Sequence, residues 1–180
     1  MVYYCKPLYI DLLTFILKGE KMKKNTEKTN VMRILDSKKI NYISHCYADT
    51  SAVSGTEVAK VLGEDPHKVF KTLVTVGASK ANYVFVIPVE EELDLKKAAK
   101  SVGEKNISMV KSKDLLGLTG YIHGGCSPIG MKKMFDTVIH CTAEEYDTIL
   151  FSAGKIGYQV ELAFSDLCKV ISLKTDDIVV

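Results

Sequence analysis

Apolar residues along the chain fall into short runs whose spacing alternates between the period of a helix and that of a strand. Val31, Ile34 and Leu35 share one face of a polar stretch that Thr29 and Asn30 can cap and that ends in Lys38 and Lys39. This predicts an amphipathic helix with cations at its C-terminus, where they suit the backbone dipole. Residues 41–47 are rich in β-formers and read as a strand. A short helix over 56–62 follows Ser54-Gly55, with Val58, Ala59 and Leu62 on one face and Gly63 as its stop. Runs at 69–76 and 82–88 flank a Gly-Ala-Ser-Lys turn and give the strongest hairpin signal. Asp94 caps a helix through Ser101 that Gly103 ends, and Ser112 is predicted to cap another near Leu115 and Leu116. Gly120, Gly124, Gly125 and Gly130 then mark a loop. Strands are expected at 137–141, 148–152 and 158–163, a helical turn at 142–146, and a last helix from a Ser165 cap to about Val170. None of the helices has the length of a crossover in a doubly wound parallel sheet. The expectation is therefore a single compact α+β domain, with short helices packed around one mixed, largely antiparallel sheet.

Composition narrows the class. With 47% hydrophobic and 26% charged residues, the 180-residue chain is neither disordered, collagen-like nor a coiled coil. Its 24 basic and 22 acidic residues leave a formal charge of +2, and the basic excess lies in the first sixty positions. That is too weak for a protein that holds nucleic acid by phosphate neutralisation alone. Arg33 is the one arginine, so any local nucleic-acid contact falls to lysines. Cys5, Cys46, Cys126, Cys141 and Cys168 form no CxxC pair and are odd in number, which argues against a disulfide framework and for a reducing cytoplasm. The apolar run at 8–17 is too short for a membrane span and lacks a signal-peptide cleavage site. Met22 with Lys23 and Lys24 offers a second start, so residues 1–21 read as a dispensable extension or a misplaced start. The expected division is an N-terminal extension at 1–24 and one domain at 25–180.

Three segments carry candidate chemistry. Strand alternation puts Lys71 on the face of Leu73 and Thr75, so its ammonium either snorkels at a sheet end or lines a pocket. The glycines of GGCSPIG, 124–130, expose backbone N–H groups suited to an anion or oxyanion, or simply form a tight turn. Met131 after Gly130 excludes a phosphate-binding P-loop. In FSAGKIG, 151–157, a strand ends in Ser152 and gives way to a glycine-punctuated loop bearing Lys155. The pairs His45-Cys46 and His140-Cys141 suggest metal or thiol chemistry, but neighbours on a strand point to opposite faces. His123 with Cys126 has usable spacing but needs distant partners, so neither a metal site nor a cysteine nucleophile is expected.

Lys71-Thr72-Leu73, the LDLKKAAKSVG run at 93–103, GGCSPIGMKK at 124–133 and SAGKIGYQVEL at 152–162 stand in one order. In these, over about residues 29–175, the chain resembles the YbaK/EbsC family of bacterial aminoacyl-tRNA deacylases that edit mischarged prolyl-tRNA. The resemblance implies a barrel-like YbaK fold, related to the editing insertion of bacterial prolyl-tRNA synthetases, and no cofactor. It implies a freestanding enzyme that clears Cys-tRNA(Pro), in which the substrate's thiol attacks its own ester and leaves a cyclic thiolactone. A hydrophobic synthetase pocket separates proline from cysteine poorly, which is where a second sieve is needed. Lys71 matches the family's essential lysine, holding the terminal adenosine's phosphate or the ester oxygens. Thr72 would supply hydroxyl or backbone bonds and Tyr47 matches a pocket tyrosine. Ser152 and Gly154 match the loop around the aminoacyl group, while Gly125 and Ser127 match the other glycine loop. Two positions depart from some relatives: Ser54 stands where they carry a phenylalanine, and Gln159 where they carry an acid. Gln159 keeps hydrogen-bonding ability without the charge. The implied partners are the acceptor end of aminoacylated tRNA(Pro) and prolyl-tRNA synthetase in a transient complex. Hydrolysis of Ala-tRNA(Pro), or a non-catalytic module that binds tRNA or the synthetase, remains as the alternative.

Overall fold

Thr29 ends an extended segment and its hydroxyl accepts from the Met32 N–H at 3.3 Å, which starts helix α1, Asn30–Ser37. The computed structural model describes residues 27–180, so Cys5, the apolar run at 8–17 and the expected extension lie outside the described residues. Val31, Met32 and Leu35 of α1 are buried, as the helical period requires. Strand β1 spans Ile43–Cys46. Helix α2, Gly55–Leu62, begins in a reciprocal capping box: Ser54 accepts from the Glu57 N–H and the Glu57 carboxylate accepts from the Ser54 N–H. Gly63 closes it at φ +69°.

A 3-10 turn at Pro66–Lys68 leads into the hairpin of β2, Phe70–Gly77, and β3, Asn82–Pro88. Helix α3, Leu95–Ser101, starts where Asp94 accepts from the Lys96 and Lys97 N–H groups. Strand β4, Ile107–Met109, precedes helix α4, Ser112–Thr119. Strand β5 is Asp136–His140, with a 3-10 turn at Cys141–Glu145 behind it. Strands β6, Ile149–Ser152, and β7, Tyr158–Leu162, then precede helix α5, Phe164–Val170, and strand β8, Lys174–Asp176.

The strands divide between two sheets where the sequence suggested one. Five strands run in the order β4-β2-β3-β5-β8, antiparallel except for the parallel pairs β3–β5 and β5–β8. Three more, β1-β7-β6, pair antiparallel throughout. A parallel bridge from Val69 to Leu150 ties the sheets together at the foot of β2. Apolar side chains on both faces of β3 explain the arrangement. Val84 and Val86 join Phe70, Ile149, Phe151 and Val160 in the main core, while Tyr83, Phe85 and Ile87 meet Ala98 and Ala99 of α3. Ser112 and Ser165 are not the caps expected of them. Lys111 and Ala163 occupy those positions without a side-chain bond, because packing of Leu115 and Leu167 into the core fixes where the two helices enter. Among the described residues no helix is long and apolar enough to cross a membrane.

Candidate active site

Strand β4 pairs with β2 only over Thr75–Gly77, so the first half of β2 borders open space. That space is a cavity of about 260 Å³ between the two sheets. Lys71 and Thr72 project to opposite faces of β2, yet both line it because they stand at this free margin. Tyr47 arrives just beyond β1, Val53, Ser54 and Gly55 from the start of α2, and Ser152 and Gln159 from β6 and β7. Strand register explains the last pair: Ser152 is the direct partner of Gln159. A larger groove of about 590 Å³ between the segments around Met131–Phe135 and Val170–Lys174 holds none of the candidate residues.

Lys71 is half-buried, and its Nζ donates to the Val89 carbonyl at 3.1 Å. Burial pulls its ammonium below the ordinary lysine range, against the opposing carboxylates of Glu92 and Glu91. Among the described residues, Thr72 Oγ1 and Gln159 Oε1 are buried and find no hydrogen-bond partner. A fold normally satisfies such atoms, and leaving one unpaired costs about 1–3 kcal/mol. Two of them on one cavity mark it as a place built for polar atoms of a ligand. Ser152 Oγ accepts from the Gly154 N–H at 3.2 Å. Tyr47 is buried, which pushes its phenol up, while the Gly157 backbone opposes the shift.

Three residues matched by resemblance stand behind these walls. Gly125 is buried against the Ile156 backbone, where an added Cβ would sit 3.3 Å from the Ile156 nitrogen. Ser127 is fully buried and its Oγ accepts from the Ile129 N–H at 3.4 Å. Gly154, at φ +82°, faces Tyr121, and a Cβ there would come within 2.7 Å of the ring. None of the three lines the cavity, whereas their neighbours Gly124 and Cys126 do. Glycine there permits close packing between segments distant in sequence, a demand that a motif does not display.

Sequence reasoning missed the apolar lining, chiefly Val53, Val58, Met109 and Val110, and missed Val89, whose carbonyl holds Lys71. A signal existed for one of them. Gly55 approaches Val89 so closely that a Cβ would lie 2.3 Å from its Cγ1, a reason for glycine at the first position of α2.

His45 and Cys46 are neighbours on β1, whereas β5 ends at His140 and Cys141 opens the 3-10 turn, so strand alternation does not bear on the second pair. His140 Nδ1 lies 2.8 Å from Thr142 Oγ1, away from the cavity lining. His123 and Cys126 both line the cavity, but burial pushes the Cys126 thiol up to about 12, with Thr119 opposing. A thiol that stays protonated at neutral pH is a poor nucleophile. The site thus offers a cation, two unpaired buried oxygens and apolar walls, a set suited to holding a small polar group against charge.

Comparison with known proteins agrees with this architecture. The family model for the aminoacyl-tRNA editing domain matches residues 49–170. EbsC of Enterococcus faecalis, whose name provisionally assigns it deacylation of Cys-tRNA(Pro) and Cys-tRNA(Cys), is 49% identical over 142 residues. That alignment covers 78% of this chain and 87% of EbsC. Among solved structures, one described provisionally as a trans-editing enzyme for prolyl-tRNA synthetase superposes with a TM-score of 0.73 at 21% identity, covering 83% of this chain and 94% of that one. The hypothetical protein APE2540 gives 0.76 at 17% identity, over 83% of this chain and 99% of its own. At those identities the structures speak for the fold, while the family match and EbsC reach further: this chain belongs to the aminoacyl-tRNA editing domain family, of which YbaK and EbsC are members.

Proposed function

We propose that the protein is a trans-editing deacylase that clears cysteine from Cys-tRNA(Pro), with the substrate's own thiol as nucleophile. The observation that carries this reading is the single cavity that gathers Lys71, Thr72, Ser152 and Gln159 around two unpartnered oxygens. The thiol loses its proton, its sulfur bonds to the ester carbonyl carbon, the carbon–oxygen bond breaks, and the departing ribose oxygen takes up a proton. A cyclic thiolactone and free tRNA result. Confinement in a small cavity favours this intramolecular attack, since a held near-attack geometry replaces an encounter. The raised Cys126 thiol supports a mechanism that needs no protein nucleophile.

Lys71 is the electrostatic residue of this mechanism. Its ammonium serves the phosphate of the terminal adenosine or the ester oxygens, in a half-buried setting where a charge counts for more than in water. Thr72 and Gln159 offer their unpaired oxygens to the aminoacyl group, with Tyr47 and Ser152 beside them. Gly125, Ser127 and Gly154 act by shaping the wall. A formal charge of +2 and a single arginine fit a domain that borrows tRNA selection from prolyl-tRNA synthetase, in a transient cytoplasmic complex.

Hydrolysis of Ala-tRNA(Pro) is the second reading, and Ser54 favours it: its hydroxyl is spent on capping α2, so it adds no apolar wall. Release of labelled amino acid from Cys-, Ala- and Pro-tRNA(Pro) decides between them. Cysteine is expected to leave rapidly and proline to stay. Faster loss of alanine would establish the hydrolase, and no loss even with synthetase present would leave a binding module.

Thr72→Val tests the unpaired hydroxyl. Removing a buried oxygen that the free protein cannot satisfy is expected to stabilise the fold by about 1 kcal/mol while slowing deacylation about tenfold. Urea denaturation and the release assay read the two effects. A variant that is destabilised and fully active would show that Thr72 serves the fold alone.

A further inference from the structure

His45 is a buried titratable residue that the mechanism above does not use. Only 1% of it is exposed. Its Nε2 lies 2.8 Å from Glu161 Oε2, and Glu161 Oε1 accepts from the Thr148 hydroxyl at 2.7 Å. An ionised carboxylate only accepts, so the ring proton is on Nε2. Burial works against ionisation of Glu161, yet the Thr148 and His45 bonds and the nearby Lys68 charge hold its carboxyl below the usual range. Glu64 lies close to the pair as well.

A ring that carries one proton, on Nε2, leaves Nδ1 as an acceptor, and Nδ1 is buried without a partner among the described residues. Directly opposite His45 across β1 and β7 stands Gln159, whose Oε1 is the other unpartnered atom of this sheet. Ser152 is the next residue in the same row, on β6. Paired residues of antiparallel strands share a face with their Cβ atoms about 5 Å apart, so the ring and the amide are within reach of each other. Two acceptors cannot satisfy one another, but an amide carries a donor on its other arm. Turning its NH2 toward Nδ1 leaves Oε1 for the cavity and satisfies the ring.

We propose that His45 is a positioning residue: fixed by Glu161 as the Nε2–H tautomer, it accepts through Nδ1 from the Gln159 side-chain amide and so presents Gln159 Oε1 to the cavity as an acceptor for the substrate's α-ammonium group. The substrate ammonium, Gln159 and His45 then donate in turn along one chain of hydrogen bonds that ends at Glu161, which also accepts from Thr148. The ligand class that follows is an aminoacyl ester with a free, protonated amine, as opposed to a peptidyl or other N-acylated ester. The inference rests on the deacylase reading and gives that site its amine subsite.

The test compares kcat/KM for Cys-tRNA(Pro) and N-acetyl-Cys-tRNA(Pro) in the full-length protein and two variants. His45→Asn keeps an acceptor near the place of Nδ1 and gives up the reach to Glu161. His45→Gln keeps a donor for Glu161 and gives up the acceptor. Preference for the free amine is expected to survive in His45→Asn and to fall at least about tenfold in His45→Gln, the scale of one hydrogen bond to a charged group. A residue that merely braces Glu161 predicts the reverse, and a preference that moves equally in both variants, or in neither, overturns the proposal. Ring 15N shifts of the unaltered protein give a reading that does not depend on the variants folding. They should show His45 at neutral pH with its proton on Nε2, and a proton on Nδ1 overturns the proposal. Wild-type protein that releases cysteine with no preference for the free amine removes this inference alone, whereas protein inactive on both esters removes the deacylase reading and leaves the ring shifts to judge the hydrogen-bond chain.

Discussion

Lys71→Ala is expected to leave the protein folded and to lower deacylation of Cys-tRNA(Pro) at least about 100-fold, the scale of losing one preorganised charge contact. Both halves follow from where the lysine sits. Among the described residues its one side-chain hydrogen bond goes to the Val89 carbonyl at the cavity margin, where water can replace it, so the stability cost is about 1 kcal/mol. Glu91 and Glu92 act on it only as background charge, so truncation strands no paired carboxylate in the interior. The ammonium is nonetheless half-buried, and among the described residues no salt bridge offsets the cost of desolvating it. Under the proposed function, that setting is matched to negative charge on the substrate. Circular dichroism and urea denaturation monitor the fold, and the release assay under single-turnover conditions monitors the chemistry. A folded Lys71→Ala protein with full activity would remove the lysine from the mechanism.

Local structure was the legible part of this sequence. The Thr29 and Asp94 caps, the helix that follows Ser54, its Gly63 stop and the β2–β3 hairpin each lie within a few residues of the signal that predicts them. The division into two sheets was hidden because it depends on the Val69–Leu150 bridge and on β5 slotting in parallel beside β3, pairings between residues far apart in the chain. Strands β4 and β8, three residues each, are too short to display a two-residue period. The site divides in the same way. Lys71, Thr72, Ser152 and Gln159 lie in motifs that the family resemblance could match, and all four line one cavity. That Gly154 packs on Tyr121, that Val89 holds Lys71 and that His45 faces Gln159 are facts of tertiary pairing with no local trace.

The second large effect lies in the substrate. If the thiol of the bound cysteine is the nucleophile, blocking it removes the reaction, whatever the cavity still holds. S-methylcysteine keeps the amine, the ester and nearly the same shape, so the contacts proposed for Lys71, Thr72 and Gln159 would persist. Intramolecular attack by a well-placed group is worth many orders of magnitude over an external one, so its loss is expected to slow release at least about 1,000-fold. Hydrolysis by a bound water would lose less, since one methylene-sized change in an apolar pocket alters rates only about 10–200-fold. Alanyl-tRNA(Pro) is a weaker comparison because it also shrinks the side chain and changes how the cavity is filled.

The most direct test of thiol-assisted editing is therefore the rate at which the purified protein releases labelled amino acid from tRNA(Pro) charged with cysteine or with S-methylcysteine, at saturating enzyme in a single turnover. Thiol-assisted editing predicts rapid loss of cysteine with S-methylcysteine retained at the uncatalysed rate. Comparable release of the two would contradict it, and would assign the cavity to a deacylase that uses water.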